Sequence, residues 1–345
     1  MKRLLSIVLC IFLCMPLCGC EKIGNTKEYS TEFFAMDTYM SMTAYGKNAK
    51  EAVETAKEEI LRLEQLLSTN IATSEVAQVN ANSGGEVSED TASLIERSLF
   101  YYEQTDGAYD ITIYPLVYEW GFTTKDFQVL SESRVEELLP LVGSDKLHLE
   151  GEKKNKVVFD QEGMMIDLGT IAKGYASQRA SEIFKEYGVE SGLINLGGNV
   201  QLVGAKPDGA DWRVAIQKPD KDAPDTDYIG TLDASDCAIT TAGGYERYFE
   251  EDGVIYRHIF DPATGCPTES SLKSVSVIAK NGVDADGYDT ALFVMGLQNA
   301  VSFWRLHQEE FDVIMVGSDD TIYVSEEISD KFSVNGANYR VEVLH

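Results

Sequence analysis

Hydrophobic and polar positions follow two rhythms along this chain. Phe34, Met36, Met40, Met42 and Ala44 fall on one parity, which predicts a strand with one buried face. Asn48 then precedes Val53, Ala56, Ile60, Leu63 and Leu67 at helical spacing, with Glu51 three residues on in a capping-box variant. A second helix is predicted from about Ser88 to Gln104, stopped by Asp106-Gly107. Residues 109–122 are apolar and aromatic, and Pro115 prevents them from forming a central strand throughout. A short helix over 132–139 ends at Pro140, and strands are predicted at 157–160 and 164–168. A helix over 171–187 follows, closed by Gly188. Short strands and glycine turns then run to about residue 280. A helix at 285–309 comes next, followed by a strand pair at 313–316 and 321–324 turning at Gly317. Strands and helices mix without a regular βαβ period, so the fold class is α+β.

The first twenty residues obey neither rhythm. Lys2 and Arg3 precede an apolar run over 4–17. That run is too short to span about 30 Å of hydrocarbon but suits a secretory signal. Its end, Leu17-Cys18-Gly19-Cys20, resembles a bacterial lipobox. The expected organisation is a signal peptide over 1–19, a lipid on Cys20, a polar tether over 20–31 and one domain over 32–345. An ordinary signal peptide with incidental cysteines is the plainer alternative. The expected location is a bacterial membrane surface, on the extracytoplasmic side. Cys237 and Cys266 are then the cysteines left in the folded part, where one disulfide is open to them.

Charge narrows the function. The 345 residues carry 29 Lys+Arg against 57 Asp+Glu, a net charge of -28. Cleavage before Cys20 removes two basic residues and makes it -30. Such a field repels nucleic acids. A phosphate-bearing ligand would need local cations or a metal. Hydrophobic residues at 44% suffice for a core, so disorder is excluded.

Four stretches carry candidate chemistry. In Asp167-Leu168-Gly169-Thr170-Ile171-Ala172-Lys173-Gly174, a strand and Gly turn lead into a helix whose first turn holds Lys173. The helix dipole disfavours a cation there, so either an anion binds beside it or Lys173 simply faces solvent. No Gly-Lys-Ser/Thr loop and no G-x-G-x-x-G fingerprint occurs. Asp286, Asp289 and Thr290 stand at i, i+3 and i+4, placing hard oxygen ligands on one helix face as Mg²⁺ prefers. An acidic helix start explains them equally, and an EF-hand does not fit the spacing. Glycine pairs at Gly197-Gly198 and Gly243-Gly244 allow close ligand approach or merely turns. His258, one of four histidines, precedes an Asp-Pro turn and is either structural or a general base. No G-x-S-x-G elbow is present.

Together these stretches resemble the ApbE family of FAD:protein FMN transferases, over roughly 33–332. The motifs fall in the family's order: Phe-Ala-Met-Asp-Thr at 34–38, Gly-Ala-Tyr-Asp-Ile-Thr at 107–112 and Trp-Gly-Phe at 120–122. Asp-Leu-Gly-Thr-Ile-Ala-Lys-Gly-Tyr-Ala at 167–176 and Ile-Asn-Leu-Gly-Gly-Asn at 194–199 follow. His-Ile-Phe-Asp-Pro-Ala-Thr-Gly at 258–265 and the 286–296 segment complete the series. The resemblance implies an ApbE-like α+β fold with FAD in a cleft and Mg²⁺ on its pyrophosphate. It assigns Asp286, Asp289, Thr290 and the Thr170 carbonyl to the metal. It assigns Met36, Ala108, Tyr109, Asp110, Asp167, Lys173 and Ile259 to FAD, and His258 to the base. The implied reaction moves FMN from FAD to a Thr or Ser hydroxyl of an acceptor protein, with AMP leaving. Implied acceptors are FMN-binding domains, such as flavin-bearing subunits of sodium- or proton-pumping redox complexes. Mg²⁺-dependent hydrolysis of FAD and a non-catalytic flavin-binding lipoprotein are the rival readings. Two departures stand out: Asp37 where many members have Gly, and Asn70 where many have Tyr. The second removes an aromatic face that could stack on a ring.

Overall fold

The computed structural model describes residues 27–224, 226–336 and 339–345. The expected signal peptide and Cys20 lie outside the described residues. The chain opens with a hairpin of β1 (Glu28–Ala35) and β2 (Thr38–Tyr45), then α1 (Ala49–Leu67) and α2 (Glu75–Ala81). Next come β3 (Gly84–Glu86), α3 (Glu89–Gln104), α4 (Tyr114–Glu119), α5 (Glu132–Leu138), β4 (Leu147–Glu150), β5 (Lys156–Phe159) and α6 (Ala172–Glu186). A run of strands follows: β6 (Ser191–Leu196), β7 (Asn199–Val203), β8 (Trp212–Gln217), β9 (Tyr228–Ala234) and β10 (Ala238–Gly243). It continues through β11 (Tyr248–Glu251), β12 (Val254–Arg257), β13 (Phe260–Asp261), β14 (Cys266–Pro267) and β15 (Leu272–Ala279). The last elements are α7 (Gly282–Leu306), β16 (Phe311–Gly317), β17 (Thr321–Ser325), α8 (Glu326–Ser329), β18 (Phe332–Val334) and β19 (Arg340–Leu344).

The main sheet has the order β1-β2-β6-β7-β10-β15-β16-β17-β19 and is antiparallel except at β17–β19. Period-2 alternation gives it two apolar faces. Residues such as Met40, Met42, Ile194, Val275 and Val277 join the larger core, which also takes in Ile60 and Leu63 of α1, Phe184 of α6 and Leu292 of α7. On the other face Val200, Leu202, Ile239 and Ile278 meet Val214, Ile216 and Leu232 from the small β18-β9-β8 sheet. A third cluster (Leu116, Trp120, Phe122, Val135, Phe260) lies apart from both and carries the chain into His258.

Local physics revises several sequence expectations. The strand expected across Phe34 to Ala44 is a hairpin, because Met36 (φ 48°) and Asp37 (φ 60°) form a two-residue turn with both residues left-handed. Phe34 consequently faces solvent, 58% exposed. β1 already begins at Glu28, inside the stretch expected as tether, because its backbone pairs with β2 from Glu28 onward. Residues 164–168 join no sheet, and the Asn80 side chain instead takes both backbone groups of Ile166, each at 2.8 Å. Asn48 does not cap α1 with its side chain; its Nδ2 donates to the Tyr187 carbonyl at 2.9 Å. α7 starts earlier than expected, at Gly282, and breaks at Gly296 (φ 72°). There Ser270 Oγ donates to the Phe293 carbonyl and Leu297 N–H donates to Ser271 Oγ. Cys237 and Cys266 are free thiols packed against different clusters, so they form no disulfide.

Candidate functional site

The site begins where α6 and α7 cross. A Cβ on Gly174 would lie 2.2 Å from the Gly282 carbonyl oxygen, and one on Gly282 would lie 2.2 Å from that of Gly174. Only two glycines permit such backbone contact. The contact sets the first turn of α6 directly against Asp286. Asp286 Oδ2 accepts from Gly174 N–H at 2.8 Å, and its Oδ1 accepts from Asn199 Nδ2 at 2.8 Å. One turn on, Asp289 is equally buried, with Thr290 Oγ1 donating to its Oδ1 at 3.1 Å.

Two carboxylates enclosed together are costly without compensation. Burial raises the Asp286 carboxyl above its ordinary range despite Lys173, Asn199 and Gly174, which favour its ionised form. Burial and then the charge of Asp286 push Asp289 higher still. The pair resists carrying two negative charges unless a cation joins it.

The surroundings offer further donors to such a cation. Gly174 N–H, a first-turn donor that α6 itself cannot satisfy, is taken by Asp286, and the Thr170 carbonyl lies just ahead of the helix cap Ile171, outside the helical ladder. The hydroxyl of Thr240 is fully buried beside Asp289 and favours the ionised form of its carboxyl. Two carboxylates with hydroxyl and carbonyl oxygens fit Mg²⁺, which commonly keeps positions for water and phosphate oxygens. Among the described residues no three His, Cys, Asp or Glu side chains gather into a closed cage.

Lys173 ties the two halves of the site together. Its ammonium acts on Asp286 and Asp289 on one side, and on Asp167 and His258 on the other. Asp167 Oδ1 accepts from Gly169 N–H at 2.9 Å. Its carboxyl is raised by burial, opposed by that bond and by Arg247 and Lys173.

His258 is fixed by the Arg247 carbonyl, which accepts from both its main-chain N–H (3.0 Å) and its Nδ1 (3.1 Å). A carbonyl only accepts, so Nδ1 carries the proton and Nε2 keeps its lone pair. Burial, then Arg247 and Lys173, push the imidazole down to about 4, against the pull of the carbonyl bond. The ring is therefore neutral at pH 7. Ile259, next in the chain, is buried with its carbonyl accepting from Thr268 N–H. Phe260 anchors the strand on Trp120 and Phe122, with ring centroids 5.9 and 5.7 Å away.

Other expected FAD contacts sit at the same end of the sheet with different roles for their side chains. Met36 lies in the β1–β2 turn, and its N–H donates to Glu64 Oε1 of α1 at 2.6 Å. Ala108 is half-buried at the edge of the core. The Tyr109 ring is enclosed, 5.6 Å from Tyr101, and its hydroxyl accepts from Thr170 Oγ1 at 3.1 Å. It braces Thr170 and offers no open ring face. The Asp110 carboxylate accepts from Thr112 N–H and Oγ1 and from Ser144 N–H and Oγ, so four internal donors occupy it. Asn70 is exposed, its N–H bonded to Ser68 Oγ. Tyr114, whose hydroxyl bonds towards Thr69 just before Asn70, is buried and in the field of Asp167, and it was absent from the expected set. Arg247, Asn199, Thr240 and Glu64 were likewise not singled out. For Arg247 the available signal was a cation three residues beyond Gly244.

Comparison with known proteins agrees with this arrangement. The ApbE family model matches residues 36–315. A FAD:protein FMN transferase of Treponema pallidum is 29% identical, covering 98% of this chain and 97% of its own. Its namesake in Klebsiella pneumoniae is 34% identical over 82% and 87% respectively. Among solved structures, the ApbE protein of Thermotoga maritima superposes with a TM-score of 0.81 at 32% identity, covering 88% of this chain and 99% of that one. The flavin transferase ApbE of Vibrio cholerae gives 0.78 at 27% identity, covering 89% and 99%. On this family match over most of its length, the chain belongs to the ApbE family.

Proposed function

We propose that this chain is a FAD:protein FMN transferase, moving FMN from FAD to a Thr or Ser hydroxyl of an acceptor protein. The observation that carries this is Lys173 standing between the buried Asp286–Asp289 pair and a neutral His258 with Nε2 free. One side suits a cation and phosphate, the other a proton acceptor. Mg²⁺ bound by Asp286, Asp289, Thr290 and the Thr170 carbonyl would supply charge neutralisation on the pyrophosphate. Lys173 adds positive charge at the same place. His258 Nε2 takes the proton of the acceptor hydroxyl as its oxygen bonds to the FMN phosphorus. The bond from that phosphorus to the bridging oxygen breaks, and AMP leaves with the electron pair. The buried Asp110 and Tyr109 have their polar atoms engaged by Thr112, Ser144, Ser98 and Thr170 and take no part in the chemistry.

Acceptors of the expected kind are FMN-binding domains, including flavin-bearing subunits of sodium- or proton-pumping redox complexes. A lipid on Cys20 would keep the enzyme on the same membrane surface as such complexes. The test incubates the protein with FAD and Mg²⁺, with and without an acceptor domain, and follows AMP. AMP formed only with acceptor, together with covalent flavin on that acceptor, supports transfer. AMP formed regardless identifies hydrolysis, and none in either case identifies a flavin-binding protein. His258→Ala is expected to keep FAD binding and lose transfer by at least about a hundredfold. Undiminished flavinylation by that variant would remove His258 from the mechanism.

A further inference from the structure

The loop after β10 contains a cation whose position the transfer chemistry above does not use. Arg247 is solvent-exposed, yet it touches the interior at two points. Its main-chain carbonyl holds both N–H groups that His258 presents to it. Its guanidinium Nη2 donates to the Phe122 carbonyl at 3.4 Å, in the turn that follows Trp120. Phe122 and Phe260 pack on one another, and Phe260 stands two residues from His258. Arg247 therefore closes a ring through Phe122, Phe260 and His258 back to its own carbonyl.

We propose that Arg247 is a positioning residue for His258, its main chain gripping the imidazole and its guanidinium pinning the gripping loop to Phe122. The proposal rests on the reading of His258 as the base. Electrostatics point the same way. The charged groups facing His258 are Arg247 from this loop and Lys173 from α6, while Asp167, just ahead of α6, faces both cations. Two cations beside an imidazole disfavour its protonation and keep Nε2 available. Lys173 also serves the carboxylate pair, whereas Arg247 acts on Asp167 and His258. A loop held only by its carbonyl bonds to His258 would move with the ring it is meant to fix. The Phe122 contact supplies the outside anchor.

Arg247→Gln and Arg247→Lys in the full chain test this, since any substitution keeps the main-chain carbonyl. The first readout is independent of catalysis: the ¹H–¹⁵N imidazole spectrum, with four histidines to resolve and His258→Gln to assign the signal. In Arg247→Gln the His258 ring is expected to lose its uniform Nδ1–H tautomer and to titrate at higher pH than in the parent. Arg247→Lys is expected to restore most of the parental titration, because the charge remains. Under transfer conditions Arg247→Gln should lower kcat by about tenfold or more, with KM for FAD changed less than about threefold, as loss of base positioning predicts. A His258 spectrum in Arg247→Gln that superimposes on the parent's overturns the proposal. So does a fall in melting temperature with an unchanged His258 titration, which would make Arg247 a structural prop. Should the His258 signal change while even the parent transfers no flavin, the positioning stands and the transferase reading fails.

Discussion

At the residue scale, Gly174 is a point of low tolerance next to the site. A side chain there meets the Gly282 carbonyl at 2.2 Å and the Asp286 Cβ at 2.5 Å. Both obstacles are backbone or the root of a side chain, so neither swings aside. Gly174→Ala is expected to cost about 2–3 kcal/mol in urea unfolding, in the range for overpacked helix contacts. It should also weaken metal binding by displacing the N–H that Asp286 accepts. Parental stability in that variant would mean that α6 and α7 separate freely. The chemistry-bearing residues here were legible because their types are unusual for their places, such as Lys173 in a helix's first turn and three oxygen donors along one face. The roles of Tyr109 and Asp110 were not legible. A Tyr and an Asp look alike in sequence whether they face a ligand or are consumed by Ser98, Thr170, Thr112 and Ser144, partners that only the folded chain brings together.

At the element scale, α1, α3 and α6 are joined by a charged staple above the site. Arg62 Nε and Nη2 reach Glu59 and Asp90, each at 2.7 Å, and Tyr175 of α6 donates to Asp90 Oδ1 at 2.5 Å. The bond from Arg62 holds Glu59 below its usual range, against burial. Burial would raise Asp90, but Tyr175 and Arg62 outweigh it and hold it low. For an acid held low in the folded state, the stabilisation is complete above its unfolded value, about 4. It is lost as pH falls through the folded value. Asp90→Asn is therefore expected to lose about 1–2 kcal/mol at pH 7, a partly exposed network being discounted for solvent. The deficit should shrink in unfolding curves recorded below pH 4, and a deficit independent of pH would disprove the linkage. Helices α1, α3 and α6 were legible from period 3.6 with turn residues at their ends. What escaped was whatever depends on pairing at long range. The two left-handed residues at Met36-Asp37 turn one apparent strand into two, and Asn80 withdraws 164–168 from any sheet.

At the scale of the whole molecule, 57 acidic residues and a net charge of -28 make cation binding a question of global as well as local field. Adding Mg²⁺ at about one hundred times its dissociation constant should stabilise the protein by about 2.7 kcal/mol through mass action. A thermal scan would read this as a rise of several degrees. Asp289→Asn should abolish the rise without lowering the metal-free melting temperature, because it removes one of two enclosed like charges. An unchanged Mg²⁺ response in that variant would place the cation elsewhere. The start of β1 has a different sort of consequence. Glu28 lies eight residues after Cys20. An extended chain of that length spans no more than about 29 Å, and β1 carries the backbone roughly 24 Å further to the Met36 turn. A lipid on Cys20 would thus act as a short leash, holding that turn within about 50 Å of the bilayer. With such a lipid in place, substrates would be selected by altitude as well as by sequence: hydroxyls borne close above the membrane would come within range, and those on tall or freely diffusing partners would have to descend to it.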